Sequence, residues 1–178
     1  MKTSFEMVEL LKRLEAPGGR FEPKAYLCPA GVLTIGYGHT GPDVRVGQII
    51  NEEQATELLL KDTSVAEDAV NKATASARLT QRQFDALVSF TYSCGSARLR
   101  SSTLLKKVIG NPNNTNGIAA EFAKWRLAGG KPLLGLMRRR VVEASWYSYG
   151  DGYSKFLTIM ANRMYPNDAV AIMNKWKV

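Results

Sequence analysis

The chain has 178 residues, a net charge of +8, and 45% hydrophobic against 22% charged residues, a balance that excludes disordered, fibrous and low-complexity classes. Two cysteines, Cys28 and Cys94, and a single histidine, His39, exclude a disulfide-stapled scaffold and offer no zinc-site spacing. The positive excess points to an anionic partner: nucleic acid, acidic membrane or anionic cell-wall polymer.

At this length one body with two lobes is expected rather than two independent domains. No apolar run reaches a membrane-spanning length of about 20 residues. Met1-Lys2-Thr3-Ser4-Phe5-Glu6 turns acidic where a signal peptide turns apolar, so we expect a chain that is cytoplasmic when made and does not insert stably in a membrane.

In chain order, Thr3-Ser4-Phe5-Glu6 reads as a capping box. Met7, Leu10, Leu11 and Leu14 follow at i, i+3, i+4 and i+7, one face of a short helix. Ala16-Pro17-Gly18-Gly19 stops it. Glu15 then sits in the last turn, where the negative end of the helix dipole disfavours further negative charge. Ala25-Tyr26-Leu27 and Val32-Leu33-Thr34-Ile35, split by Pro29-Ala30-Gly31, read as a hairpin. With that loop Cys28 lies opposite Val32, and Cys28 and Thr34 become diagonal neighbours on one face.

Asn51-Glu52-Glu53-Gln54 opens a second capped helix, with Ala55, Leu58, Leu59, Val65, Ala66, Ala69, Val70 and Ala73 at helical spacing to about Thr74. Such a helix is roughly 35 Å long at 1.5 Å per residue, which suits a strut between lobes. Leu79-Thr80-Gln81-Arg82-Gln83-Phe84 carries a cap, a reciprocal glutamine and a staple. Phe84, Leu87, Val88, Phe90 and Tyr92 make the helix that follows apolar on most sides, and Gly95 ends it. Shorter helices are expected around 103–109, 118–127 and 134–148, punctuated by Gly110-Asn111-Pro112 and Gly129-Gly130-Lys131-Pro132. One or two docked helices are expected in 151–178.

Gly36-Tyr37-Gly38-His39-Thr40-Gly41 matches G-x-G-x-x-G, and Asp62 follows at about the distance a dinucleotide fingerprint asks. The context rejects that reading, since Pro42-Asp43 follows instead of a helix and no βαβ alternation surrounds it.

Glu15, Cys28 and Thr34 are the more informative constellation, and with them the chain becomes recognisable. Leu10 to Glu15, Ala25-Tyr26-Leu27-Cys28-Pro29-Ala30-Gly31 and Thr34-Ile35-Gly36-Tyr37-Gly38-His39-Thr40-Gly41 strongly resemble the phage lysozyme family of endolysins. The likeness continues through Leu79 to Phe90, Ser102-Thr103-Leu104, Gly129-Gly130-Lys131 and Gly135 to Arg140.

That resemblance implies a catalytic set of a Glu closing the first helix, an Asp or Cys two residues after the hairpin Tyr, and a Thr six beyond. Glu15, Cys28 and Thr34 occupy those positions. It implies hydrolysis of the β-1,4 bond between N-acetylmuramic acid and N-acetylglucosamine in bacterial peptidoglycan, with no cofactor and no metal. The chemistry agrees: a glycosidic oxygen is a poor leaving group and needs a protonated acid, and the oxocarbenium-like carbon needs a nucleophile. Cys28 stays open between base, nucleophile and holder of the attacking water, with Thr34 beside it.

The resemblance also implies a structural salt bridge between His39 and Asp62, and substrate contacts at Thr40, Tyr92 and Thr103. The segment between Glu15 and Tyr26 is longer than is usual in the family, with Ala16-Pro17-Gly18-Gly19 looking inserted. Arg138-Arg139-Arg140, with Arg126 and Lys131, is expected to form a solvated helix face or else a surface turned toward anionic wall.

The resulting expectation is an α+β, lysozyme-like fold. Residues 1–147 form the catalytic body, with a small lobe of about 12–65, a long connecting helix, and a helical lobe of about 75–147 joined by the N-terminal helix. Residues 148–178 form a helical extension packed on that lobe. The family implies a monomer held in the host cytoplasm until a separate holin-type protein releases it to act on periplasmic or cell-wall peptidoglycan. Three rivals remain: a lytic transglycosylase on the same bond, a non-catalytic peptidoglycan-binding module, and a nucleic-acid-binding helical protein resting on charge alone.

Overall fold

The computed structural model describes residues 1–16, 20–28 and 30–148; the helices expected in 151–178 and most of the Ala16–Gly19 stretch lie outside the described residues. Helix α1, Phe5–Glu15, begins at Ser4, whose hydroxyl accepts from the Met7 amide at 3.2 Å. The cap lies one residue later than the box at Thr3 foresaw, because Ser4 is also fixed from outside the helix. Its N–H and Oγ donate to the buried Asp85 carboxylate at 3.0 and 2.6 Å. Met7, Val8, Leu10 and Leu11 turn into the core.

Strands β1 (Glu22–Leu27), β2 (Leu33–Gly36) and β3 (His39–Thr40) form an antiparallel sheet in that order. The expected hairpin is its first pair, with Tyr26 opposite Thr34 and Leu27 opposite Leu33. Cys28 donates its N–H to the Val32 carbonyl at 3.0 Å, so it faces Val32. The third strand exists because Gly36 and Gly38, at φ 66° and 91°, turn the chain at Tyr37. These glycines serve a left-handed turn that other residues resist. Gly36 also sits so close to the next helix that a Cβ there would lie 3.1 Å from Ala55 Cβ.

Helix α2, Glu52–Ala73, has the reciprocal Asn51–Gln54 cap and packs on the sheet as well as on the helical lobe, as a strut should. Val65 departs from expectation: it is 70% exposed, because α2 crosses a cleft between the lobes at that point.

Helix α3, Gln81–Cys94, has both bonds of the Thr80–Gln83 box, and every side chain from Gln83 to Thr91 is buried. Helices α4 (Ser96–Ser101) and α7 (Leu134–Ser148) pack on it, α6 (Thr115–Ala123) meets it through Phe122 against Phe90, and α5 (Thr103–Gly110) packs on α4 and α6. Six-residue α4 is too short to leave a periodic trace in the sequence. The helix expected over 118–127 instead starts at Thr115, capped by Asn114, and ends at Ala123. Leu127–Ala128 and Lys131–Pro132 form a second hairpin, β4–β5, turned by Gly129 and Gly130 at φ 57° and 77°.

The arginine run is the largest correction. Arg139 and Arg140 are 8% and 0% exposed, so α7 carries two cations into the lobe where a solvated face was expected. Among the described residues no helix is long and apolar enough to cross a membrane.

Ser4 joins a helix cap to a buried carboxylate. Ser4→Ala is therefore expected to cost about 2 kcal/mol, against about 1 kcal/mol for Asn51→Ala at an exposed cap, measured by urea unfolding.

Candidate active site

A cleft of about 480 Å³ lies between the end of α1, the sheet, α2 and the junction of α3 with α4, lined by Glu15, Thr40, Asp62, Val65, Tyr92 and Ser96 among others. Glu15 reaches it because α1 stops there: Ala16 leaves helical geometry at φ −116°, ψ 94°. One carboxylate oxygen, Oε1, accepts from Arg139 Nη1. The other lies on the side of the Gly38 turn, 3.8 Å from where a side chain at position 38 would begin.

Arg139 is held from several directions. Its Nη2 donates to the Ser89 carbonyl at 3.2 Å, its Nε to Glu143 Oε1 at 3.2 Å, and its guanidinium lies 5.8 Å from the Tyr92 ring centroid. Burial works against this charge, yet the Glu15 and Glu143 carboxylates hold its pKa above the ordinary value. Tyr92 is displaced upward too, first by burial and then by the nearby Glu15 and Asp62 charges.

Cys28 and Thr34 meet on the sheet rather than in the cleft lining. The Thr34 hydroxyl, itself buried, donates to the Val32 carbonyl at 3.0 Å. Cys28 is a free, partly exposed thiol held below its ordinary pKa by the backbone amides of Val32 and Ala30, with Thr34 contributing and burial opposing. Tyr26, Thr34 and Thr40 stand directly opposite one another across the three strands, so their side chains share a face, and Cys28 follows Tyr26 on it. Thr40 connects that face to the cleft. Thr103, at the exposed start of α5, is not among the cleft-lining residues.

His39 is 5% exposed and contacts two carboxylates: Nδ1 lies 2.8 Å from Asp62 Oδ2, and Nε2 lies 3.2 Å from Asp43 Oδ1. Asp43 was not foreseen, and Lys61 approaches its other oxygen at 3.0 Å. Its carboxyl is pulled down to about 2 by the Lys61 and then the His39 contacts. Sequence reasoning also missed Arg139 as Glu15's partner, since the two are 124 residues apart. The recurring carboxylate at Glu143, a turn after the arginines, was the available signal.

Residues 18–143 match the Phage lysozyme family, and the chain belongs to it; Glu15 stands just ahead of the matched stretch, so its placement rests on the geometry above. The chain is 45% identical over 117 residues to an endolysin of Bacillus phage PZA, covering 66% of this chain and 44% of that relative's length. It is 38% identical over 151 residues to an endolysin of Acyrthosiphon pisum secondary endosymbiont phage 1, covering 83% of this chain and 98% of the relative. Among solved structures, the endolysin from Escherichia coli O157:H7 phage FAHEc1 superposes with a TM-score of 0.74 at 35% identity, covering 85% of this chain and 98% of that one.

The Asp43 contacts carry a pH signature. A carboxyl whose folded pKa of about 2 lies below its ordinary 3.8 adds stability above 3.8 and loses it as pH falls toward 2. Asp43→Asn should therefore flatten the acid limb of a Tm-against-pH curve over that window, and a limb as steep as that of the wild type would discount the contact.

Proposed function

We propose that the chain is an endolysin-type lysozyme that hydrolyses the β-1,4 bond between N-acetylmuramic acid and N-acetylglucosamine in bacterial peptidoglycan. The observation that carries this reading is the position of Glu15, a carboxyl group at a helix end on the wall of an open cleft between two lobes. Membership of the phage lysozyme family and similarity to two endolysins over nearly their whole length support it.

In this reading Glu15 protonates the leaving glycosidic oxygen from the oxygen not engaged by Arg139. The face formed by Cys28, Thr34 and Thr40 supplies the opposite side of the sugar, where water attacks and inverts the anomeric centre. The lowered Cys28 thiol and the neighbouring Thr34 hydroxyl are suited to orient that water. Thr40 and Tyr92 contact the glycan from two sides of the cleft. Asp62 and His39 keep the sheet fixed on α2, so that the two faces retain their spacing. The protein acts as a cofactor-free monomer on periplasmic or cell-wall peptidoglycan, after a holin-type protein has released it from the host cytoplasm.

The test is digestion of purified peptidoglycan by wild type and Glu15→Gln, with the released muropeptides reduced and identified by mass spectrometry. Reducing-end N-acetylmuramic acid should be released by the wild type, and Glu15→Gln should be slower by ~10²-fold or more. Anhydro-sugar products would convert the reading to a lytic transglycosylase, and binding without release by both proteins would reduce it to a glycan-binding module.

A further inference from the structure

Glu143 is fully buried on α7, and no step proposed for the cleft uses it. Its Oε1 collects three donors: Ser89 Oγ at 2.8 Å, Arg140 Nη2 at 2.9 Å and Arg139 Nε at 3.2 Å. The simplest account makes it the counter-charge of Arg140, which is equally buried. That account leaves the Arg139 contact unused. Through this contact one guanidinium is divided between two carboxylates, with Nε on Glu143, Nη2 on the Ser89 carbonyl and Nη1 left for Glu15. Two buried arginines thus face two carboxylates, and Glu15 is the one that reaches the cleft.

We propose that Glu143 is a positioning residue for Glu15: by holding Arg139 along its Nε edge it restricts the cation to a single contact with the acid, and so sets the pH at which Glu15 exchanges its proton. The proposal rests on the reading of Glu15 as the acid. The other groups around Glu15 leave this role open to Glu143. From α3 comes Tyr92, whose phenol is held protonated by burial, and from α2 comes Asp62, which is engaged by His39. The Gly38 turn supplies uncharged backbone. On α1 itself, Lys12 is paired with Glu9 at 2.8 Å, and Arg13 lies in the same last turn.

The sign follows from charge alone. Replacing Glu143 by Gln removes a negative charge that repels ionised Glu15, and it frees Arg139 from a competing partner. Both effects favour ionised Glu15, so its proton leaves at lower pH.

The experiment is a carbon-13 NMR titration of the Glu15 carboxyl, assigned by its loss in Glu15→Gln, in wild type and Glu143→Gln. A pH profile of turbidity clearance on permeabilised cells accompanies it. The Glu15 midpoint is expected to fall by ~1 pH unit, and the alkaline limb of lysis should move down with it. An unchanged midpoint in folded Glu143→Gln overturns the proposal and leaves Glu143 as packing for Arg140. Should Glu143→Gln fail to fold, Glu143→Asp keeps the charge but withdraws it from Arg139. A smaller downward shift in that variant supports the proposal, and no shift overturns it. A midpoint that moves in a protein without lytic activity would sustain the role of Glu143 while removing the lysozyme reading.

Discussion

Two guanidinium groups enter the helical lobe on α7, and the arrangement around them depends on finding counter-charges for both. A buried charge without a partner costs several kcal/mol even after the surroundings relax, so Arg139 and Arg140 at 8% and 0% exposure require carboxylates within reach. Glu143, one helical turn on, meets both, and Ser89 from α3 completes its coordination. The remaining face of Arg139 turns to Glu15 at the end of α1. This contact ties the first helix of the chain to the last described one, with α3 between them. The candidate acid is therefore held by the core of the helical lobe, although it opens on the cleft.

The opposite wall of the cleft is held by a different set of charges. His39 lies between Asp62 on α2 and Asp43 in the loop after β3, and Lys61 steadies Asp43 from the same helix. Gly36 lets the sheet approach α2 to within side-chain contact of Ala55. The strut helix is thus anchored by polar contacts and close packing on the sheet side, and by α3 and α4 on the other. Between these anchors Val65 remains exposed along the cleft. An apolar side chain there costs little, since single exposed apolar residues are ordinary on protein surfaces.

Local chemistry explains what could be read in advance. The capped starts at Asn51 and Thr80 and the stop at Gly95 are written within four or five residues of one another, and so was the facing of Cys28 and Val32 once the loop was placed. Ser4 shows where such reading stops, since its preference over Thr3 is fixed by Asp85, far along the chain. The arginine run failed for the same reason on a larger scale. Helical periodicity states which side chains share a face, but it does not state which face is buried when the residues are charged. The partners that make burial tolerable came from Glu143 on α7 itself and, across the fold, from α1 and α3. Glu15 was legible as a helix-end residue, whereas its contact with Arg139 was not.

Burial also decides what the net charge can do. Between residues 75 and 148 the carboxylates are Asp85, Glu121 and Glu143, and all three are buried. Each is consumed by internal partners: Asp85 by Ser4 and Gln81, Glu121 by Lys107 and Lys124, Glu143 by the two arginines. The exposed charges of that stretch, including Arg98, Arg100, Lys106 and Lys131, are accordingly of one sign. The first part of the chain carries exposed carboxylates such as Glu6, Glu22, Glu53 and Glu57 among its cations. The positive excess is thus concentrated on the helical lobe instead of being spread over the molecule. An anionic polymer approaching the protein meets a net attractive field there, which salt screens over about 8–10 Å at ordinary ionic strength. Because Arg139 and Arg140 are internally neutralised, they contribute little to this field, and the arginines that fix the acid are physically separate from the cations that attract.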